Sequence, residues 1–389
     1  MPATAPKRIR TLIAPDKFKG SLTAGEVADA LAAGLRSASS TGRSGTVHCE
    51  LLPLADGGDG SVDAAVASGF SRRSYTVAGP TGQPVQASIA FDGVTAVVEV
   101  ANTCGLGLLP GGTLEPLSAS SRGFGEAVLF ALSLKPARIV LALGGSASTD
   151  GGMGMLTALG YVFRDAEGRQ LYGSGGALAQ ISSVQRTALP ELADTELVVA
   201  SDVHNPLLGT QGAPAVFGPQ KGAGPQEIAT LDKGLEHFVA KMTAAGFSDA
   251  ARLAGHEGAG SAGGLGYACL LLGAKQVSGA DYFLDLLGFD ARKDSCDVVI
   301  TGEGSLDEQT LGGKLPGGPD PVRSSPSPAA RCCRRHGGPK WTSPASTRWP
   351  STRTGTRPRT PNFPRPCSAG SERTSEPACC SRCSQAAEK

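Results

Sequence analysis

Five times along this chain a short apolar run stops at a turn carrying an acidic residue, in most copies beside glycine, and a helical pattern usually follows. Few folds accommodate that grammar. Parallel strands need a long crossover connection, and strands buried on both faces read as continuous apolar runs. Repetition therefore implies an α/β fold built on a largely parallel sheet. The first copy is "RIRTLIAPDKFKGSLTAGEVADALAAGLR", in which Ile9, Leu12, Ile13 and Ala14 supply the strand and Pro15 ends it. Thr23 with Glu26 three residues later forms a capping box, and Val27, Leu31 and Leu35 recur as a helical stripe. The other copies are "CELLPLADGGDGSVDAAVASG", with a helix from about Ser61, "ARIVLALGGSASTDGGMGMLTALG", "ELVVASDVHNPLLG" and "DVVITGEG".

The segment "RRSYTVAGPTGQPVQASIAFDGVTAVVEVA" alternates apolar and polar residues around two turns, which is the pattern of antiparallel strands. A second domain is expected around it. Further on, "HEGAGSAGGLGYACLLLGA" reads as a loop feeding a helix with Leu265, Tyr267, Leu270 and Leu271 on its face.

Charge and cysteine usage narrow the function classes. Of 36 Lys+Arg and 35 Asp+Glu in 389 residues, 13 and 4 fall in 315–389, a net of +9 there and −8 for residues 1–314. An acidic body argues against a general nucleic-acid binder, which needs basic surface to displace counterions. No apolar run reaches the length of a membrane span or a secretory leader. Cys49, Cys104, Cys269 and Cys296 are scattered without metal spacing and read as reduced thiols, which points to the cytoplasm.

The chemistry lies in the turns at the carboxyl ends of the strands: "PDKFKGS", "ADGGDGS", "GGSASTDGG", "SDVHNP" and "TGEGSLDEQTLGGK". In an open parallel sheet ligands bind at this edge, beside helix N-termini whose amides favour anions. Glycine lets the backbone approach a phosphate, and Ser or Thr adds hydroxyl donors. Carboxylates there repel phosphate unless a cation lies between, and Mg²⁺ takes one or two carboxylates plus water and phosphate oxygens. Any single Asp at a helix start is more often a cap than a ligand. Recurrence at five strand ends is what capping alone does not require. His204 reads as a packing or hydrogen-bonding residue, since no second histidine lies near it. Two familiar signatures fail: Gly313–Lys314 lacks the P-loop's first glycine and following hydroxyl, and Gly258, Gly260 and Gly263 follow a helix end rather than a strand.

Together "APDKFKGSLTA", "PLADGGDGS", "GGSASTDGGMGML", "SDVHNPLLG", "GAPAVFGPQKGA", "EGAGSAGGLGYA" and "DVVITGEGSLDEQTLGGK" resemble the bacterial type-1 glycerate kinase family over about residues 8–314. The resemblance implies ATP- and Mg²⁺-dependent phosphorylation of D-glycerate, typically to 2-phosphoglycerate, with neither nucleic acid nor membrane as partner. It also implies a Rossmann-like domain (8–70 and 285–314), a second α/β domain (71–284) and a site in the cleft between them.

On this reading Lys17 and Lys19 face phosphate or the substrate carboxylate, and Asp202, or else Asp307, is the base at the attacking hydroxyl. Gly144, Gly145, Ser146, Thr149, Gly263 and Gly264 cradle the nucleotide phosphates, joined by Thr301, Gly302, Glu303 and Gly304. Asp16, Ser21, Asp56, Asp59, Asn205 and Lys314 line the substrate, and Asp150 and Asp307 hold the metal. Rival readings are a degenerate kinase that only binds, and a nicotinamide-dependent oxidoreductase.

Residues 315–389 depart from the resemblance directly after Lys314. They hold 13 of 27 prolines, six of ten cysteines and both tryptophans, with Leu315, Val322 and Phe363 as their only large aliphatic or phenylalanine side chains. Such a stretch cannot offset its chain entropy and is expected to be disordered. The Arg, Pro, Ser, Ala and Cys mixture also matches GC-rich coding sequence read out of frame, and the abrupt change at Leu315–Pro316 favours that origin.

Overall fold

The computed structural model describes residues 8–18, 21–40, 46–186 and 189–303, with the backbone of 331–334. The rest of the tail, with the expectation placed on it, lies outside the described residues. All described residues belong to one compact unit.

Strands β1 (Ile9–Ile13) and β2 (Val47–Leu51) come first, then β3 (Ser71–Ala78), β4 (Pro84–Phe91) and β5 (Thr95–Glu99). β6 (Arg138–Ala142), β7 (Val162–Arg164), β8 (Gln170–Leu171) and β9 (Ser183–Gln185) follow. β10 (Glu196–Ala200), β11 (Lys275–Val277), β12 (Val298–Thr301) and β13 (Arg331–Arg334) complete the set.

One sheet has the order β13-β12-β1-β2, with β1 parallel to both β2 and β12 and β13 antiparallel at the edge. A six-stranded sheet has the order β11-β10-β6-β5-β4-β3. Its first four strands run parallel, and β5, β4 and β3 form the expected antiparallel ladder. The small antiparallel sheet β8-β7-β9 has no counterpart in the sequence reading. Its strands are two or three residues long, too short for any periodicity to register.

The central parallel strands β5, β6 and β10 are mostly apolar because both faces are covered. Ala96 and Val98, Ile139 and Leu141, and Leu197 and Val199 face one cluster with Phe124, Met153, Phe238 and Tyr267. The alternate residues Val97, Val140 and Ala200 face a second cluster with Leu12 and Leu52 of the other sheet. Helices Ser61–Ala67 and Gly279–Leu286 supply Val62, Ala65, Ala280 and Phe283 to that second cluster. It therefore joins the two sheets. β3, at the edge, instead shows Arg72 and Arg73 to solvent, charges that discourage pairing with another chain.

Candidate active site

Parallel β1, β2 and β12 deliver Asp16, Asp56 and Glu303 to one edge. The turns are stitched there by backbone bonds: Asp16 N donates to Gly302 O at 2.8 Å, and Leu54 N donates to Pro15 O at 2.9 Å. Lys17 Nζ donates to the Asp59 carbonyl at 2.5 Å and lies 3.9 Å from Asp56 Oδ1. Asp56 Oδ1 also accepts from Gly58 N at 3.0 Å. Burial, and then the Asp56 carboxylate, push the Asp16 carboxyl up to about 6, against the pull of Lys17; Glu303 adds to the rise. Among the described residues Lys17 is the cation that acts on Asp16 within this cluster of acids.

The turn at 56–60 also meets the six-stranded sheet. Gly57 has φ +82°, and a Cβ there would strike the Ala200 carbonyl at the end of β10. A Cβ on Gly144, just past β6, would lie 2.5 Å from Gly58 Cα, and Gly144 N donates to Gly57 O at 3.3 Å. Only glycine permits these approaches. The backbone of Gly279, beyond β11, passes against Asp56 O. Carboxyl ends from both sheets thus meet around one turn.

Several expected residues stand at this edge, but not all face outward. Gly145 is exposed and Gly144 half-buried, whereas Ser146, Thr149 and Asp150 are buried. Ser146 Oγ lies 3.4 Å from Ala262 O, and Gly151 N donates to Gly263 O at 3.1 Å, so the two glycine turns lean on each other. Residues 262–264 are all left-handed, Ala262 included. Among the described residues Thr149 Oγ1 has no hydrogen-bond partner.

Asp150 is fully buried. Its Oδ2 accepts from Ser121 N and Ser121 Oγ, both at 2.8 Å, and from Gly154 N at 3.1 Å, while Oδ1 accepts from Gly152 N at 3.2 Å. That carboxylate anchors the turn from inside, with donors where the sequence reading places a metal. Asp202 accepts from Gly279 N at 2.9 Å and Ala280 N at 3.1 Å, one on each oxygen, and so holds the first amides of helix Gly279–Leu286, whose N-cap Ser278 accepts from Asp281 N. Asn205 donates to Gln211 O at 2.9 Å, Ser21 donates to Phe18 O at 2.9 Å, and half-buried Thr301 ends β12. His204 is exposed and sits 3.2 Å from the Glu257 carboxylate. Lys19, Gly304, Asp307 and Lys314 lie outside the described residues.

Two buried charges escape a sequence reading. Glu99 ends the apolar run "TAVVE" and is 3% exposed. Lys221, in "GPQKGAG", is 2% exposed; it donates to the Ser148 carbonyl, and burial pulls it down to about 8 against Asp150 and Cys104. A carboxylate inside an apolar strand and a lysine between glycines are the available signals.

Among the described residues no three His, Cys, Asp or Glu side chains stand close enough to hold a metal ion unaided. Asp56 and Glu303, both near the Asp16 carboxyl, would fit an ion that arrives on a nucleotide, since Mg²⁺ needs only one or two carboxylates.

Parallel strands whose carboxyl ends gather glycine turns, hydroxyls and acids present the edge at which α/β folds bind anionic ligands. A sequence model described as the glycerate kinase family matches residues 11–319. Glycerate 2-kinase of Escherichia coli (strain K12) is 40% identical over 314 residues, covering 79% of this chain and 80% of that protein. Glycerate kinase of Bacillus subtilis (strain 168) is 41% identical over 316 residues, with 79% and 80% covered. The crystal structure of a glycerate kinase 2 candidate from Salmonella typhimurium LT2 superposes with TM-score 0.68 at 38% identity, covering 80% of this chain and 82% of that one. The chain belongs to the glycerate kinase family.

Proposed function

We propose that this chain transfers the γ-phosphoryl group of ATP, with Mg²⁺, to the 2-hydroxyl of D-glycerate. The observation that carries the reading is the convergence of Asp16, Lys17, Asp56 and Gly144 on one edge of a glycerate kinase family fold. Phosphoryl transfer asks the protein mainly for positioning and charge neutralisation. Lys17, already bridging the Asp16 and Asp56 turns, faces a phosphate oxygen or the glycerate carboxylate. The exposed turn at Gly145 receives the nucleotide phosphates. Mg²⁺, when bound with the nucleotide, neutralises phosphate charge beside Asp56 and Glu303.

Asp16 is the base in this reading. It stands at the edge, and its carboxyl titrates at about 6, near the pH at which it must accept a proton. Asp202 supports the site by fixing the start of helix Gly279–Leu286, with both oxygens engaged by backbone amides. The cytoplasm, which supplies ATP and keeps thiols such as Cys49, Cys104, Cys269 and Cys296 reduced, is the setting. Among the described residues no helix is long and apolar enough to cross a membrane.

The test is ³¹P NMR of the purified full-length chain with ATP, MgCl₂ and D-glycerate. A 2-phosphoglycerate resonance growing with ADP is expected. ADP formation no faster than in a glycerate-free blank defeats the activity, and a 3-phosphoglycerate resonance defeats the choice of hydroxyl.

A further inference from the structure

Glu99 belongs to none of the acids that meet at the site edge, yet it reaches the turn that organises them. It stands at the carboxyl end of β5 and crosses to the start of helix Ser61–Ala67. Its Oε1 accepts from Gly60 N at 3.1 Å and its Oε2 accepts from Val62 N at 2.9 Å. The groups facing it are Asp59 on the turn, Asp63 on the helix and Tyr75 on β3. Asp63 is itself paired with Arg72 at 2.6 Å. Among the described residues no lysine or arginine is paired with Glu99.

We propose that Glu99 is the positioning residue of the Asp56–Gly60 turn, its ionised carboxylate clamping the amides of Gly60 and Val62, and that protonation releases the clamp. An ionised carboxylate accepts charge-assisted bonds at both oxygens, whereas a protonated one turns an O–H toward one of the two N–H donors. The turn has no slack to absorb the change. Gly57 and Gly58 already touch Ala200 and Gly144, and the Asp59 carbonyl holds Lys17 Nζ. Loosening at Gly60 therefore shifts Lys17 and Asp56 together. Burial is the main force raising the Glu99 carboxyl, to about 7, with the Val62 and Gly60 amides opposing and Asp59 and Asp63 adding to the rise. The clamp thus opens and closes within the working range of an enzyme.

The test has two arms, and only the second rests on the proposed kinase activity. Amide exchange of the full-length chain, corrected for intrinsic rates, is followed from about pH 6 to 8. In a local opening that keeps Glu99 buried and removes only the two amides that lower its carboxyl, the open state holds its proton more tightly. Protection at Gly60 and Val62 should therefore rise roughly tenfold across that range in the wild type and stay flat in Glu99→Gln. Flat protection in the wild type overturns the clamp without any variant having to fold. In kinetics, the acid limb of kcat/KM should move to lower pH in Glu99→Gln. An unmoved limb overturns the proposal. If the chain does not turn over D-glycerate, exchange alone decides the clamp, and only the kinase reading falls.

Discussion

Three aspartates with the same local signature end in three different states. Asp150 spends its carboxylate on four buried donors, Asp202 on two helix amides, and Asp16 faces other acids with Lys17 as its cation among the described residues. Asp16→Asn should lower kcat by at least ~100-fold, the usual scale for an acid/base group, in steady-state ADP release. Its stability has a sign of its own. Because the folded state raises the carboxyl from 3.8 to about 6, its contribution is fully present below pH 3.8 and lost as pH rises through 6. In magnesium-free buffer, urea midpoints of the wild type should therefore fall over that window more than those of Asp16→Asn. Equal slopes would remove Asp16 from the acid cluster. Asp202→Ala should instead cost about 1 kcal/mol, the scale of a lost helix cap, and reduce kcat less than Asp16→Asn does. A deeper loss of kcat in Asp202→Ala would return the base role to it.

Elements form here where several local signals agree. The capping box is realised: Thr23 N donates to Glu26 Oε2 at 2.8 Å and Glu26 N donates to Thr23 Oγ1 at 3.2 Å, at the start of helix Ala24–Ser40. Thr23→Ala should lower unfolding free energy by about 1 kcal/mol in urea, with activity nearly unchanged. The helix expected from about Ser61 starts at Ser61, and the segment before Gly258 holds helix Ala250–Ala254, as its sequence suggests. Gly57 belongs to a different kind of element, a turn whose backbone is pressed on a neighbour. Gly57→Ala combines a left-handed φ with a collision at Ala200 O and should cost on the order of 2 kcal/mol, with a loss of activity exceeding that of Thr23→Ala. A variant as stable and active as the wild type would mean that the two sheets do not meet closely at this turn.

At the scale of the whole molecule, the family match ends at residue 319, and about a fifth of this chain and about a fifth of each relative are left unmatched. Translating the coding sequence of 315–389 in the other two frames should recover alternating apolar strand and helix patterns, and a chain carrying that segment should melt at higher temperature. Absence of such a pattern in both frames would make the proline–arginine stretch native. By itself the sequence determined the strand–turn–helix units, the antiparallel ladder of β3 to β5, the capping box and the acidic glycine turns, because each is written in one continuous stretch of chain. Only the tertiary structure decided which acid holds a helix start, which anchors a turn and which lies among other acids. A carboxylate's role is set by the donors around it, and these come from far along the chain: Ser121 for Asp150, Gly279 for Asp202, Gly60 for Glu99.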